Sequence, residues 1–282
     1  MTQLLKGAQV AEGMSQRLAE EIEELKVAGT IPCLAILRVG EEPDQLSYER
    51  GATKRCAGLG IEVKSVALPQ DAAQEDVLAA VQQLNEDVAV HGILLLQPLP
   101  KGLDGNAIRN AIDSRKDVDG IADGSLGGLF VGAQSAFAPC TAQACIEICD
   151  HYGIQLEGKR VVVVGRSLVV GKPAAMLFLA RNATVTVCHS RTADLPAVAH
   201  EADILVVAMG CAKAIGAECA AVGQVVIDVG INWDARAGKL VGDVDFDAVE
   251  PVVDAITPVP GGVGAVTNCV LADHVVQAAK RA

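Results

Sequence analysis

The sequence predicts an α/β protein of two domains, each with parallel strands and the second doubly wound. Three observations carry that reading. Strand-like and helix-like segments alternate over residues 30–100 and again from 159 onward. The strands read as unbroken runs of Val, Ile and Leu, as expected of a sheet covered on both faces. The 282 residues exceed the usual size of one domain.

Composition narrows the class. The chain is 51% hydrophobic but only 2% aromatic, so its core is aliphatic. Its net charge is −12, and no basic cluster interrupts it. That argues against nucleic acid and anionic membranes as partners. The start, MTQLLKGAQV, lacks the apolar core of a signal peptide, and no apolar run suffices for a membrane span, so a cytoplasmic protein is expected. The nine cysteines are scattered without a CxxC pair and read as small core residues in a reducing compartment. The five histidines show no ligand spacing, so no metal is expected.

Taken in order, residues 8–27 form a helix, with Ala8, Val10, Met14, Leu18, Ile22 and Leu25 recurring at helical steps. Gly29 ends it. Cys33–Val39 is the first buried strand. A loop and a helix fill 41–60, followed by a strand at 62–67 and a helix at 72–84. The strand at 91–96 runs into Gln97-Pro98-Leu99-Pro100, which cannot continue it, because proline donates no ladder hydrogen bond. Residues 101–138 read as one long irregular connection, and such connections are often functional. Pro139-Cys140-Thr141 opens a helix to about Tyr152, with Thr141 as its cap. The domain junction falls there.

The second set begins with KRVVVVGRSLVVGKP at 159–173. Four valines enter a Gly-Arg-Ser turn, and a helix over 173–181 follows. The turn is GxS where the usual dinucleotide fingerprint has GxG. Two readings stay open: a helix N-terminus holding a pyrophosphate, or a plain βα turn. Further strands are expected at 183–188, 203–208 and 225–229, and a last helix over 269–280 after the Pro/Gly loop 257–268.

Three groups of motifs, together, resemble one family. They are KDVDG at 116–120; GRSLVVGKP at 165–173 with CHSRT at 188–192; and DVGIN at 228–232 with GDVDF at 242–246 and TPVPGGVG at 257–264. GILLLQPLP at 92–100 and PCT at 139–141 match more loosely. The chain is similar to the tetrahydrofolate dehydrogenase/cyclohydrolases over almost its whole length. The resemblance implies two α/β domains around a cleft, usually in a homodimer. Residues 1–139, completed by the helix at 264–282, would form the folate-binding catalytic domain, and 140–263 a Rossmann-like NAD(P)-binding domain. The implied reaction oxidises 5,10-methylenetetrahydrofolate to the methenyl form with a nicotinamide cofactor. Many relatives then hydrolyse that product to 10-formyltetrahydrofolate.

The resemblance also implies site residues. Tyr48 and Asp119 are the catalytic candidates. Tyr48, Leu96, Gln97, Pro98, Asp119, Gly261 and Gly262 would contact the folate. Asp119 would accept from the pterin's amino and ring N–H groups; its alternative reading is an Asx-turn residue. Thr141, Gly165, Arg166, Ser167, His189, Ser190, Arg191 and Ile231 would line the cofactor. Arginines and hydroxyls suit a 2′-phosphate, and CHSRT offers no carboxylate for a free 2′-hydroxyl, which favours NADP while leaving NAD possible.

Two departures bear on the hydrolytic step. The family's catalytic lysine belongs one turn after Tyr48, where this chain has Ala52. Lys54 lies about 120° from Tyr48 around a helix, against about 40° for position 52, and reads as a surface lysine. The family's glutamine before Leu-Pro-Leu-Pro falls on Leu96, with Gln97 one place late and facing the other way along a strand. Smaller differences are Ser125, Gly128, Ala142 and Ala265-Val266. The expectation is a dehydrogenase with weak or absent cyclohydrolase activity. The alternatives are a bifunctional enzyme and a non-catalytic protein that binds nucleotide or folate.

Overall fold

The computed structural model describes residues 1–235 and 238–282. In chain order the elements are β1 (Gln3–Leu4), α1 (Gly7–Val27), β2 (Cys33–Val39), α2 (Pro43–Leu59), β3 (Glu62–Leu68), α3 (Gln74–Glu86), β4 (Gly92–Leu95), α4 (Gly105–Asn110), α5 (Asp123–Val131), α6 (Cys140–His151), β5 (Arg160–Val164), α7 (Gly171–Ala180), β6 (Thr184–Cys188), α8 (Leu195–His200), β7 (Ile204–Val207), β8 (Val225–Asp228), β9 (Asn232–Asp234), β10 (Lys239–Val241), α9 (Phe246–Val249), β11 (Ala255–Ile256) and α10 (Val263–Arg281). Two compact units result: Gly13–Cys140 with Asn268–Ala282, and Met1–Glu12 with Thr141–Thr267.

The first unit holds a parallel sheet in the order β3-β2-β4. Its central strand, CLAILRV, is buried at six of seven positions, whereas the edge strand β3 has no fully buried position. Leu37, Val39, Ile93 and Leu95 pack with Val77, Val81 and Leu84 of α3. Each such side chain stabilises the fold by roughly 1.5–3 kcal/mol. Pro43 opens α2, where its missing N–H costs nothing.

The second unit holds a six-stranded parallel sheet in the order β1-β11-β8-β7-β5-β6. The valine run Val161–Val164 is at most 4% exposed, which is why its sequence shows no alternation. β1 joins the edge by pairing Gln3 with Ala255 and Leu4 with Ile256, so residues 1–12 belong to this unit. An antiparallel pair, β9 and β10, stands apart from the sheet.

Several expectations change. The connection over 101–138 is not wholly irregular, since it contains α4 and α5. Asp104 caps α4 by accepting from the Asn106 and Ala107 N–H groups, both at 3.0 Å. α10 starts at Val263, inside the Pro/Gly loop, because two glycines and two prolines before it do not prevent helix after Gly262. Thr141 is the second residue of α6 rather than its cap. Pro173 is the third residue of α7, which Gly171 begins. The short elements β1, β9, β10, β11, α8 and α9 are too brief to show a period in sequence.

Candidate functional site

Within the second unit, Gly165 follows β5 and Cys188 ends β6, and these strands pair side by side. The Gly165 N–H donates to the Cys188 carbonyl at 2.9 Å, which sets the turn carrying Arg166 and Ser167 beside the turn His189–Arg191. Gly165 has φ +135, where a side chain is strained, and a Cβ there would overlap the Ala208 carbonyl. A Cβ on Gly171 would in turn overlap the Gly165 carbonyl. The backbone of the turn and the start of α7 are thus packed one on the other, the close approach a phosphate-binding βα turn requires.

The polar residues of these turns divide into two kinds. Ser167 Oγ accepts from the Val170 and Gly171 N–H groups at 3.1 and 3.4 Å, while its own proton stays available to a ligand oxygen. His189 Nδ1 accepts from the Arg191 N–H at 3.2 Å, and Thr192 Oγ1 accepts from the His189 N–H at 2.8 Å. The imidazole therefore shapes the turn, and Thr192, which sequence reasoning passed over, completes it. Arg166, Ser190 and Arg191 are exposed and carry the charge and hydroxyl of the pair of turns. Thr141 is half-buried in α6, and among the described residues no hydrogen bond joins it to the Gly165 turn.

Ile231, Gly261 and Gly262 line one cavity of about 290 Å³ with Leu240, Pro258 and Gly264. Ile231 is 61% exposed, an apolar surface held open. The Gly261 carbonyl is held by the Gly7 N–H at 2.8 Å. Two buried carboxylates that sequence reasoning left without a role support this wall. Asp228 accepts from the Gly230, Asp243 and Val244 N–H groups at 2.9, 3.1 and 3.0 Å. Burial pushes its carboxyl up to about 6, against the pull of those three donors. Asp243 accepts from the Gly210 and Cys211 N–H groups and from Asn232 Nδ2, at 2.8, 2.8 and 2.9 Å, and so ties the loop after β7 to β9. DVGIN and GDVDF display these residues, but spacing cannot reveal that they are buried.

Within the first unit, the KDVDG motif is divided among structural and free groups. Lys116 Nζ donates to the carbonyls of Leu84, Asn85 and Asp87 at 3.1, 2.8 and 2.8 Å, which pins the motif to the end of α3. Asp117 forms the turn: its carboxylate accepts from the Ile121 and Ala122 N–H groups at 3.2 and 2.9 Å and from Ser125 Oγ at 2.6 Å. The Asx-turn role weighed for Asp119 is thus filled by Asp117, and Ser125 serves that turn.

Asp119 faces Tyr48 of α2 and the thiol of Cys140. Burial, then the Asp117 charge, pushes its carboxyl up to about 7, while a hydrogen bond with Cys140 pulls it down. Tyr48 is half-buried, and burial followed by the Asp119 charge raises its phenol well above the ordinary value. The phenol stays protonated at any working pH. It can donate a hydrogen bond or offer its ring face, but it cannot serve as a base.

One turn after Tyr48, Ala52 is fully buried, and Lys54 is exposed. Leu96 is buried, with its N–H donating to the Leu37 carbonyl at 2.9 Å, whereas Gln97 is exposed. The two side chains therefore differ in burial, although both follow β4, whose own neighbouring residues are all buried. The Pro98 carbonyl accepts from Gln45 Nε2 at 2.6 Å, and the Gln97–Pro98 bond is cis. Gln45 lies three residues before Tyr48 on α2 and links that helix to the Pro98 loop, a contact no motif announced. Among the described residues, no group of three or more His, Cys, Asp or Glu side chains is arranged to hold a metal ion, and no helix is long and apolar enough to cross a membrane.

Comparison with known proteins gives concordant matches. Residues 5–119 match the catalytic domain of tetrahydrofolate dehydrogenase/cyclohydrolase, and residues 139–282 match its NAD(P)-binding domain. The bifunctional protein FolD of Carboxydothermus hydrogenoformans is 51% identical over 99% of this chain and 97% of its own. The bifunctional FolD methylenetetrahydrofolate dehydrogenase/cyclohydrolase of Campylobacter jejuni superposes with a TM-score of 0.97 at 39% identity, covering 100% of this chain and 99% of that one. The Trypanosoma brucei methylenetetrahydrofolate dehydrogenase-cyclohydrolase, solved with NADP and an inhibitor, superposes with a TM-score of 0.92 at 36% identity, covering 99% and 98%.

Proposed function

The chain belongs to the tetrahydrofolate dehydrogenase/cyclohydrolase family, and on that premise we propose that it oxidises 5,10-methylenetetrahydrofolate to 5,10-methenyltetrahydrofolate by hydride transfer to NADP. NADP, when bound, supplies the hydride acceptor. The observation that carries the folate half is the carboxyl of Asp119, left free of the turn and set beside the Tyr48 phenol. Ionised, it accepts from the flat donor edge of a pterin, while Tyr48 offers a ring face and a hydroxyl. Hydride transfer asks only that two rings be held at reacting distance, so binding and orientation are the protein's contribution.

The residues fit the cofactor. Gly165 and Gly171 let the turn and the start of α7 pack backbone to backbone, which sets the helix N-terminus at the turn where a pyrophosphate would lie. Ser167 keeps a proton to donate, and Arg166 and Arg191 are exposed to meet a 2′-phosphate. Ile231 offers an apolar surface for the nicotinamide side. A cytoplasmic homodimer completes the proposal, and light scattering at twice the chain mass tests the dimer.

The second, hydrolytic step has two readings. The names of the relatives favour a chain that performs both steps. The residues of α2 favour slow or absent hydrolysis, because a buried alanine stands where an amine would move protons. The two meet in a narrower statement: any hydrolysis here does not run through a lysine on α2. In the bifunctional reading a water chain takes the place of the lysine in moving the proton. Following methenyl absorbance with NADP and methylenetetrahydrofolate tests both. Accumulation supports the first step. Decay no faster than the buffer blank supports its isolation, and faster decay supports two activities.

A further inference from the structure

α10 buries one histidine against the loop that carries Asp119. His274 is 8% exposed, and its Nδ1 lies 2.8 Å from the Val118 carbonyl oxygen. A carbonyl can only accept, so Nδ1 carries the proton and the ring is held in that tautomer. The Cys140 sulfur lies 3.4 Å from the same carbonyl oxygen and 3.7 Å from Nδ1, and its one proton is shared between that oxygen and the Asp119 carboxyl. On its flank, His274 packs on the Phe137 ring, centroids 4.8 Å apart, and the Arg281 guanidinium lies 4.7 Å from the centre of the same ring. Asp117, Asp273 and Arg281 are the charged groups that face the imidazole. Burial lowers its pKa, so the ring stays neutral in the working range.

The Val118 carbonyl and the Asp119 N–H belong to one rigid peptide plane. The His274 Nδ1–H on α10 fixes that plane, with the Cys140 thiol of α6 lying against the same oxygen, and so helps set the direction in which the Asp119 side chain leaves the backbone. We propose that His274 is a positioning residue for Asp119: with the Cys140 thiol, it locks the Val118–Asp119 peptide so that the carboxylate meets the pterin's donor edge. This role rests on the folate assignment made above. His274 touches no reacting atom, so its effect falls on substrate binding rather than on the hydride step.

Two variants separate position from packing. His274→Asn keeps an N–H donor near the place of Nδ1, and His274→Leu fills the volume without one. In His274→Leu the KM for methylenetetrahydrofolate should rise about tenfold, the loss expected for one buried hydrogen bond. KM for NADP should stay unchanged and kcat should move less than about threefold, and His274→Asn should restore the wild-type KM. An unchanged folate KM in His274→Leu, or equal losses in both variants, overturns the proposal. Should His274→Leu fail to fold, His274→Phe keeps the ring's volume without an N–H donor and must also raise that KM; no rise overturns it. Independently of turnover, the backbone amide resonance of Asp119 should shift in His274→Leu and return in His274→Asn, and an unmoved resonance overturns the lock. An inactive wild type with the expected amide shift would instead count against the reaction assigned above and uphold the lock.

Discussion

Asp117 and Asp119 stand two residues apart in one turn, and the turn uses only the first. Asp117 accepts three hydrogen bonds from residues 121, 122 and 125, whereas Asp119 turns to Tyr48 and Cys140 with its carboxyl pushed up to about 7. One acid thus shapes the loop and leaves the other out of it.

The first consequence is a pH dependence. An ionised Asp119 accepts pterin donors fully, and a protonated one offers less acceptor capacity. kcat/KM for methylenetetrahydrofolate should therefore fall as pH drops through about 7, by close to tenfold per unit below it. A profile that stays level down to pH ~6 would count against Asp119 as the pterin acceptor.

Stability should respond in the opposite sense. The folded-state pKa of Asp119 lies above the ordinary carboxyl value. Its contribution to stability is therefore fully present at acid pH and is lost as pH rises through about 7. Asp119→Asn removes that ionisation. Above neutrality it should unfold at higher urea than wild type, by roughly 1–2 kcal/mol after allowing for solvent screening of a half-buried group. The same variant should lose at least ~100-fold in kcat/KM for the folate, the scale of a lost charged hydrogen-bond pair. A variant both weaker in urea and fully active would refute each half.

Lys54→Ala should change nothing beyond the surface. The side chain is exposed, and Ala52 occupies the buried position one turn after Tyr48. Dehydrogenase rate and methenyl decay should both stay within about twofold of wild type, and stability within about 0.5 kcal/mol. Loss of methenyl decay on this substitution would show that Lys54 handles protons after all.

The exposed arginines beside the Gly165 turn should set cofactor choice. Replacing Arg166 and Arg191 together by Ala should raise KM for NADP by ~10–100-fold while KM for NAD moves little, because only NADP carries the 2′-phosphate. Equal effects on both cofactors would assign these residues to the shared pyrophosphate or to the fold.

Much of this was legible in the residues. The valine run, the Gly-Arg-Ser turn and the alternation of strands and helices gave the sheet order's ingredients, because burial on both faces leaves a direct mark on composition. The exposure of Lys54 followed from its charge and its helical angle from Tyr48, whereas the burial of Ala52 did not show in the sequence. Other features left no such mark. That Asp117, not Asp119, makes the turn depends on which N–H groups the loop folds back, and both aspartates look alike in KDVDG. Asp228, Asp243 and His274 act from buried places set by pairings distant in sequence, such as the 2.8 Å bond from His274 to Val118 across 156 positions. β1 and β11 exist only as partners of each other and of β8, since two residues carry no period.

The most direct measurement is the initial rate of methenyl formation from methylenetetrahydrofolate and NADP, run side by side for wild type and Asp119→Asn. The result expected is a rise in methenyl absorbance that requires NADP in the wild type and is at least ~100-fold slower in the variant at low folate. No NADP-dependent rise in the wild type, or an equal rise in both proteins, would contradict the account.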